Sequence, residues 1–229
     1  MNILFWDIDG TLIRTAKAGL IAFDQAVNEL WGKSISFEGI RTAGMTDHYI
    51  SEQIIRRITG KEPSYEETVH LTTTYERFLA AQLAVREGRI MPSVIDILEA
   101  LGKKANYEML LLTGNTMTGA DIKLNHFKLA KYFNFDHSAF CNCFSNRDDI
   151  AAHALAQMKK HYGHHESLQF FVIGDTPNDV SCGKSIGAKT IAIATGNYAL
   201  HELEACDPWW AVETLPSPAE FEAKLNSAD

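Results

Sequence analysis

Two aspartates one residue apart carry the first chemistry in the chain. Asp7 and Asp9 follow the apolar run Ile3-Leu4-Phe5-Trp6 and precede Gly10-Thr11-Leu12. Such a run reads as a buried strand. Extended side chains alternate with period two, so Asp7 and Asp9 can project to one side while Ile8 faces the other. Two later apolar runs end in comparable groups. Met109-Leu110-Leu111-Leu112 leads into Thr113-Gly114-Asn115, and residues 168–173 lead into Gly174-Asp175-Thr176-Pro177-Asn178-Asp179. Ligands of open parallel sheets bind beyond the carboxyl ends of the strands, so these groups should converge on one edge. Close carboxylates repel unless they share a proton or a cation. A hard dication with oxygen ligands resolves this, and Mg²⁺ suits carboxylates, waters and a phosphate. Gly10 permits a tight turn after the acids. Thr113 offers a hydroxyl, and Gly114 lets backbone N–H groups approach an anion.

The elements around these groups have a legible grammar. After the first strand, Leu20, Phe23, Val27, Leu30 and Trp31 recur at helical spacing, and Gly32 stops them. Ile50, Ile54 and Ile58 predict a second helix, with Thr46 or Asp47 as its N-cap and Gly60 beyond its end. Ser64 with Glu67 forms a capping-box pattern that opens a third helix through Leu71, Tyr75, Phe78 and Leu79. Residues 16–86 thus read as helical throughout. After Pro92 strands and helices alternate. Strands are expected at 109–112, 138–141, 168–173 and 189–194. Helices are expected from 93 to about 102 and at 118–133, 148–162, 178–186, 199–205 and 218–225. That alternation implies right-handed crossovers and a parallel sheet. The expected fold class is α/β, a Rossmann-like parallel core formed by residues 1–15 and 87–229. An all-helical cap at residues 16–86 is inserted in it, with Gly88 and Pro92 as a plausible hinge.

Composition bounds the partners. The chain has 229 residues, 46% of them hydrophobic, with 21 basic against 29 acidic residues, so the net charge is −8. This is an ordinary globular balance rather than a disordered one. The acidic sign argues against general nucleic-acid binding, which needs a positive field. No run approaches the ~20 apolar residues of a membrane span. Cys141, Cys143, Cys182 and Cys206 form no CxxC pair, and the first residues carry no signal-peptide pattern. Free thiols in a reducing cytoplasm are expected.

Asp7-Ile8-Asp9-Gly10-Thr11-Leu12 resembles the first motif of the haloacid dehalogenase-like (HAD) hydrolase superfamily. Leu111-Leu112-Thr113-Gly114-Asn115 resembles its second, and Ile173-Gly174-Asp175-Thr176-Pro177-Asn178-Asp179 its fourth. Order and spacing agree from residue 3 to about 195. The helical insert resembles the C1-type cap of the phosphoglycolate phosphatase and β-phosphoglucomutase branch.

The resemblance implies a Mg²⁺-dependent phosphatase acting on a small phosphate monoester, with phosphoglycolate as the named candidate. Asp7 would be the nucleophile, forming an aspartyl-phosphate. Asp9 would protonate the leaving oxygen and then deprotonate water, its backbone carbonyl also meeting the metal. Asp175 would be a metal ligand and Asp179 a second ligand or an outer-shell partner. Thr113 and the amide of Gly114 or Asn115 would hold phosphoryl oxygens. The family's third motif is usually a Lys. Arg147 stands at the matching place in Ser145-Asn146-Arg147-Asp148-Asp149 and would take that role, an arginine fork being suited to phosphate. Lys123 and Lys128 are the fallback cations, with a surface-helix place expected for both. Met45, Thr46 and Asp47 fall in the cap region that selects substrate; plain helix capping is the other reading.

A β-phosphoglucomutase-like phosphotransferase and a non-catalytic phospho-ligand binding module are the alternatives. The expected partner is a small phosphorylated metabolite, with no nucleic acid or membrane and a monomeric or homodimeric chain. Other residues have plainer readings. Thr11 would brace the turn and Asn178 cap the following helix. Arg14 and Arg41 would be solvated charges, and His161, His164 and His165 a solvated helix end. Cys141 and Cys143 would be structural. Trp209 and Trp210 would pack the core or its edge.

Overall fold

The first strand, β1 (Asn2–Trp6), is buried on both faces. Leu4, Trp6 and Ile8 enter one hydrophobic cluster, while Ile3 and Phe5 enter another on the opposite side of the sheet. The computed structural model describes residues 1–142, 144, 146–163 and 168–228. A two-residue strand, β2 (Ile13–Arg14), follows the Asp7–Asp9 turn. Three helices come next: α1 (Ala18–Trp31), α2 (Asp47–Thr59) and α3 (Tyr65–Ala84). The chain then returns through β3 (Arg89–Ile90), which pairs antiparallel with β2.

The remainder alternates. It comprises α4 (Val94–Leu101), β4 (Tyr107–Leu111), α5 (Met117–His126), α6 (Arg147–Tyr162) and β5 (Gln169–Gly174). It ends with α7 (Pro177–Ser185), β6 (Lys189–Ile193), α8 (Leu200–Glu204), β7 (Trp210–Val212) and α9 (Pro218–Asn226). The five longer-range strands form one sheet in the order β4-β1-β5-β6-β7, parallel throughout. β1 therefore lies inside the sheet, and its carboxyl end sits between those of β4 and β5. Trp6 is in register with Leu111 on one side and Ile173 on the other, so Asp7, Leu112 and Gly174 emerge at the same level.

The inserted helices bury their own apolar cluster. Phe23 of α1 stacks on Tyr75 of α3 with ring centroids 3.9 Å apart, and Ile54, Leu71 and Leu79 are fully buried beside them. The capping box of Ser64 and Glu67 is present, and Thr46 rather than Asp47 is the N-cap of α2, accepting from Tyr49 N at 3.0 Å. α3 also packs on α5, which joins the insert to the sheet domain.

Four expectations are corrected. Residues 138–141 form no strand; Ala139 makes a single bridge to Leu112, because Ser138 turns to satisfy Leu111 N and Asn134 O. The helix expected to reach 133 ends at His126, after which Lys128 takes a positive φ and a 3₁₀ turn covers Ala130–Tyr132. β2 and β3 were not foreseen, and neither was β7, an edge strand opened by Trp210, which packs against the core beside Phe221 as expected. Among the described residues no helix is long and apolar enough to cross a membrane. Cys141 and Cys182 are free and buried, and Cys206 is free and half-buried. Cys143, Ser145, His164 and His165 lie outside the described residues.

Candidate active site

Three carboxylates meet where β1 and β5 end. The backbone N–H of Asp7 donates to Ile173 O at 2.9 Å, which extends the β1–β5 ladder by one residue and fixes where the side chain leaves the sheet. Asp175 follows the last residue of β5 and accepts from Thr11 Oγ1 at 3.1 Å. Asp179 stands in the first turn of α7. Its Oδ2 accepts from Thr176 N at 3.0 Å and Thr176 Oγ1 at 2.7 Å, reaching back to the residue that precedes α7. Its Oδ1 is bonded by Arg147 Nη2. Oxygens of Asp7, Asp175 and Asp179 all lie within 4.8 Å of one another, and all three residues are buried.

Arg147, the first residue of α6, is the cation that reaches this cluster. Its Nη1 lies 3.2 Å from Asp7 Oδ1, and its Nη2 also donates to Leu112 O at 3.2 Å. Burial works against its charge, and Asp179 and then Asp7 outweigh that, so the guanidinium stays ionised. One fixed positive charge does not balance three carboxylates. Burial pushes Asp7 up to about 6, with Arg147 opposing and Asp179 and Asp9 adding to the rise. Burial, Asp179 and Asp7 drive Asp175 well above the usual carboxylate range. Carboxyl groups raised in this way accommodate either protons or a cation. A hard dication fits a cradle of three converging carboxylate oxygens. Space is tight around it: a Cβ on Gly196 would stand 1.6 Å from Asp175 Oδ2.

Asp9 is placed differently. Its carboxylate lies outside the triad and points to another cation, Lys123. Lys123 Nζ contacts Asp9 Oδ2 at 2.5 Å and Asn115 Oδ1 at 2.5 Å, and Asn115 Nδ2 donates to the same Asp9 oxygen at 3.0 Å. Lys123 is thus not on a helix surface as expected. The α5 face that carries it is turned inward by packing against α3, and the ammonium is buried. Burial opposes its charge; Asp9 and then Asp47 more than offset this and hold it above the ordinary lysine value. Lys128, by contrast, is exposed on the turn after α5, as expected, and does not line the cleft.

The insert covers these groups. A cleft of about 410 Å³ separates Asp7, Asp9, Lys123, Arg147 and Asp175 from Met45, Asp47 and Tyr75 of the insert. Thr46 is fully buried at the helix cap and stands outside that cleft. Contacts tie the two sides together. Asp47 N donates to Gly114 O at 2.8 Å, and Thr116 N donates to Asp47 Oδ2 at 3.0 Å. Thr116 Oγ1 bonds Glu76 of α3. Asn178 does not cap α7, a place taken by Thr176; its amide donates to Gly44 O at 2.7 Å.

Thr113 is fully buried; its hydroxyl accepts from Asn115 Nδ2 at 2.8 Å and bonds the Asp7 carboxylate, while Gly114 and Asn115 line the cleft. Arg14 is not simply solvated: its Nε donates to Thr195 O at 3.1 Å and its Nη2 to Gly196 O at 2.9 Å, anchoring the loop beside Asp175. Arg41 stays exposed, 3.5 Å from the Tyr198 hydroxyl.

A model of the family described as "Haloacid dehalogenase-like hydrolase" matches residues 3–193. The chain belongs to this family. A phosphoglycolate phosphatase of Vibrio parahaemolyticus is 23% identical to it over 226 residues, covering 97% of this chain and 96% of that one. IndB of Dickeya dadantii, described as a probable phosphatase, is 24% identical, covering 93% and 90%. The crystal structure of CbbY from Rhodobacter sphaeroides in complex with phosphate superposes with a TM-score of 0.71 at 18% identity, covering 93% of each chain. That likeness is one of fold. In this haloacid dehalogenase-like hydrolase, Lys123 is the misplaced residue that bears most directly on the site. Its signal was weak, a lysine eight residues beyond Asn115 on a helix whose buried face depends on the insert.

Proposed function

We propose that this hydrolase is a Mg²⁺-dependent phosphatase that cleaves a small phosphate monoester through an aspartyl-phosphate on Asp7. The cap is read as residues 16–86 over a core of residues 1–15 and 87–229. The observation that carries the reading is the buried triad of Asp7, Asp175 and Asp179 with the Arg147 guanidinium between two of its members, open to the cleft beneath the insert. The phosphatase names of both curated relatives support it, and the phosphoglycolate phosphatase among them supports a small, anionic substrate.

Asp7, Asp175 and Asp179 would hold Mg²⁺, with the backbone carbonyl of Asp9. Bound there, the ion supplies positive charge opposite the phosphoryl oxygens. An Asp7 oxygen attacks phosphorus, and the bond to the leaving oxygen breaks as Asp9 delivers a proton to it. Water then attacks the phosphorus of the acyl phosphate. Its proton goes to Asp9, and the Asp7 carboxylate departs. The sum is monoester plus water giving alcohol plus inorganic phosphate. Arg147 offers N–H donors and charge to the transferring group, with the backbone N–H groups at Gly114 and Asn115 beside it. The insert restricts access of bulk water.

Release of inorganic phosphate from a panel of phosphorylated metabolites tests this. Turnover is expected with Mg²⁺, reversible silence in excess chelator, and loss of turnover in Asp7→Asn with unchanged folding. Full activity in chelator, or substantial activity in Asp7→Asn, overturns it. A phosphate moved between sugar positions, with none released, replaces it with the phosphotransferase.

A further inference from the structure

We infer that Lys123, paired with Asn115, is a positioning residue for the Asp9 carboxylate, an inference that rests on the acid–base role proposed for Asp9. The Asp9 side chain is 42% exposed and would otherwise turn freely in the cleft, whereas the Lys123 side chain is 5% exposed. Lys123, Asn115 and Asp9 close a ring of contacts in which each touches the other two, at 2.5, 2.5 and 3.0 Å. Asn115 is itself fixed: its Nδ2 also meets Thr113 Oγ1 at 2.8 Å, and its carbonyl accepts from Cys141 N at 3.0 Å. Both donors to Asp9 fall on Oδ2. Oδ1 is left to exchange a proton with the leaving oxygen and then with water.

The support extends to the insert. Lys123 lies on α5, whose N-cap Thr116 is held by Asp47 and Glu76 of the insert. Seating the insert therefore steadies the helix that carries the ammonium. Lys123 is separate in role from Arg147, which meets the nucleophile and the Asp179 carboxylate. A misplacement of about 1 Å in a reacting group costs roughly 100-fold in rate, so a locked Asp9 has consequences for the proton-transfer steps.

Two probes separate these steps. An alkyl leaving group needs the Asp9 proton, while p-nitrophenolate leaves without one. Both esters then give the same aspartyl-phosphate, whose hydrolysis again needs Asp9. For Lys123→Met, turnover of n-butyl phosphate should fall about 100-fold with KM unchanged. With p-nitrophenyl phosphate the variant should release one rapid equivalent of p-nitrophenol and then turn over slowly. Asp9→Asn provides the reference pattern. Equal losses in the p-nitrophenyl burst and in butyl phosphate turnover overturn the inference, as does no loss in either, or a change confined to KM. Lys123→Gln carries the same comparison if the Met variant does not fold. If Asp9→Asn shows no contrast between the probes, the acid–base assignment of Asp9 fails, and the positioning role fails with it.

Discussion

Arg147 Nη1 lies 3.2 Å from Asp7 Oδ1, and both side chains are almost wholly buried. The guanidinium and the carboxylates stabilise one another in a place where neither is hydrated. Removing the cation leaves Asp7 and Asp179 buried with no fixed positive partner, which typically costs about 3–5 kcal/mol. Arg147→Ala should therefore lower the urea midpoint markedly and abolish turnover. Arg147→Lys should recover most of the stability but less of the activity, because a point charge cannot span two carboxylates as a planar fork does. Urea unfolding and phosphate release on the same three proteins check both statements. Equal activity in the wild-type and Arg147→Lys proteins would contradict the second.

How much of this was readable before the structure follows from the range of each determinant. Asp7 and Asp175 were legible because a buried apolar run states where a strand ends, and the parallel sheet then brings the ends together. Arg147 was legible only through the family resemblance, which placed a cation near the start of this helix, and it is the first residue of α6. The inward turn of Lys123 was not, since α5 is polar enough to lie on a surface and only its packing on α3, about 40 residues earlier in sequence, buries that face. The β2–β3 pair was equally hidden, because it joins Ile13 to Ile90 and neither two-residue segment carries a local pattern. β7 is three residues long and begins at Trp210, too short for alternation to register.

Gly196 tests the metal cradle without replacing a proposed ligand. A Cβ there would stand 1.6 Å from Asp175 Oδ2, so Asp175 must move. Gly196→Ala should raise the Mg²⁺ concentration for half-maximal activity roughly 10–100-fold, the range found when support for a ligand is lost. A Mg²⁺ titration of phosphate release reads this directly. An unchanged titration curve would remove Asp175 from the metal site.

Gly114 tests the seating of the insert. A Cβ at this position would approach Met45 O to 2.5 Å, and that atom belongs to backbone, which cannot swing aside. Gly114→Ala should lower stability by about 1–3 kcal/mol, as overpacking does. It should raise KM for the phosphorylated substrate while the Mg²⁺ titration stays the same. A melting temperature and KM equal to wild type would mean that residues 44–47 do not rest on Gly114 in solution.

Asp47 gives a pH signature that the triad does not obscure. Burial raises this carboxyl to about 6; Lys123 and the Thr116 N–H oppose the rise, and Asp9 and Glu76 add to it. Its ordinary value is 3.8. The folded state therefore holds its proton over the window in which the unfolded state has released it. Stability falls as pH rises through that window and levels off above about 6. Two pKa units correspond to roughly 2–3 kcal/mol. Asp47→Asn keeps an oxygen to accept the Thr116 N–H and removes the charge. Relative to wild type, the variant should gain stability progressively between about pH 4 and pH 6 and hold that advantage at about pH 7. Urea midpoints of the two proteins across this range measure the difference, and because the triad titrates in both, its contribution cancels. A gap that is constant from pH 4 to pH 7 would show that Asp47 is already ionised at the acid end, and its burial against Thr116 would then need a closer cation than Lys123.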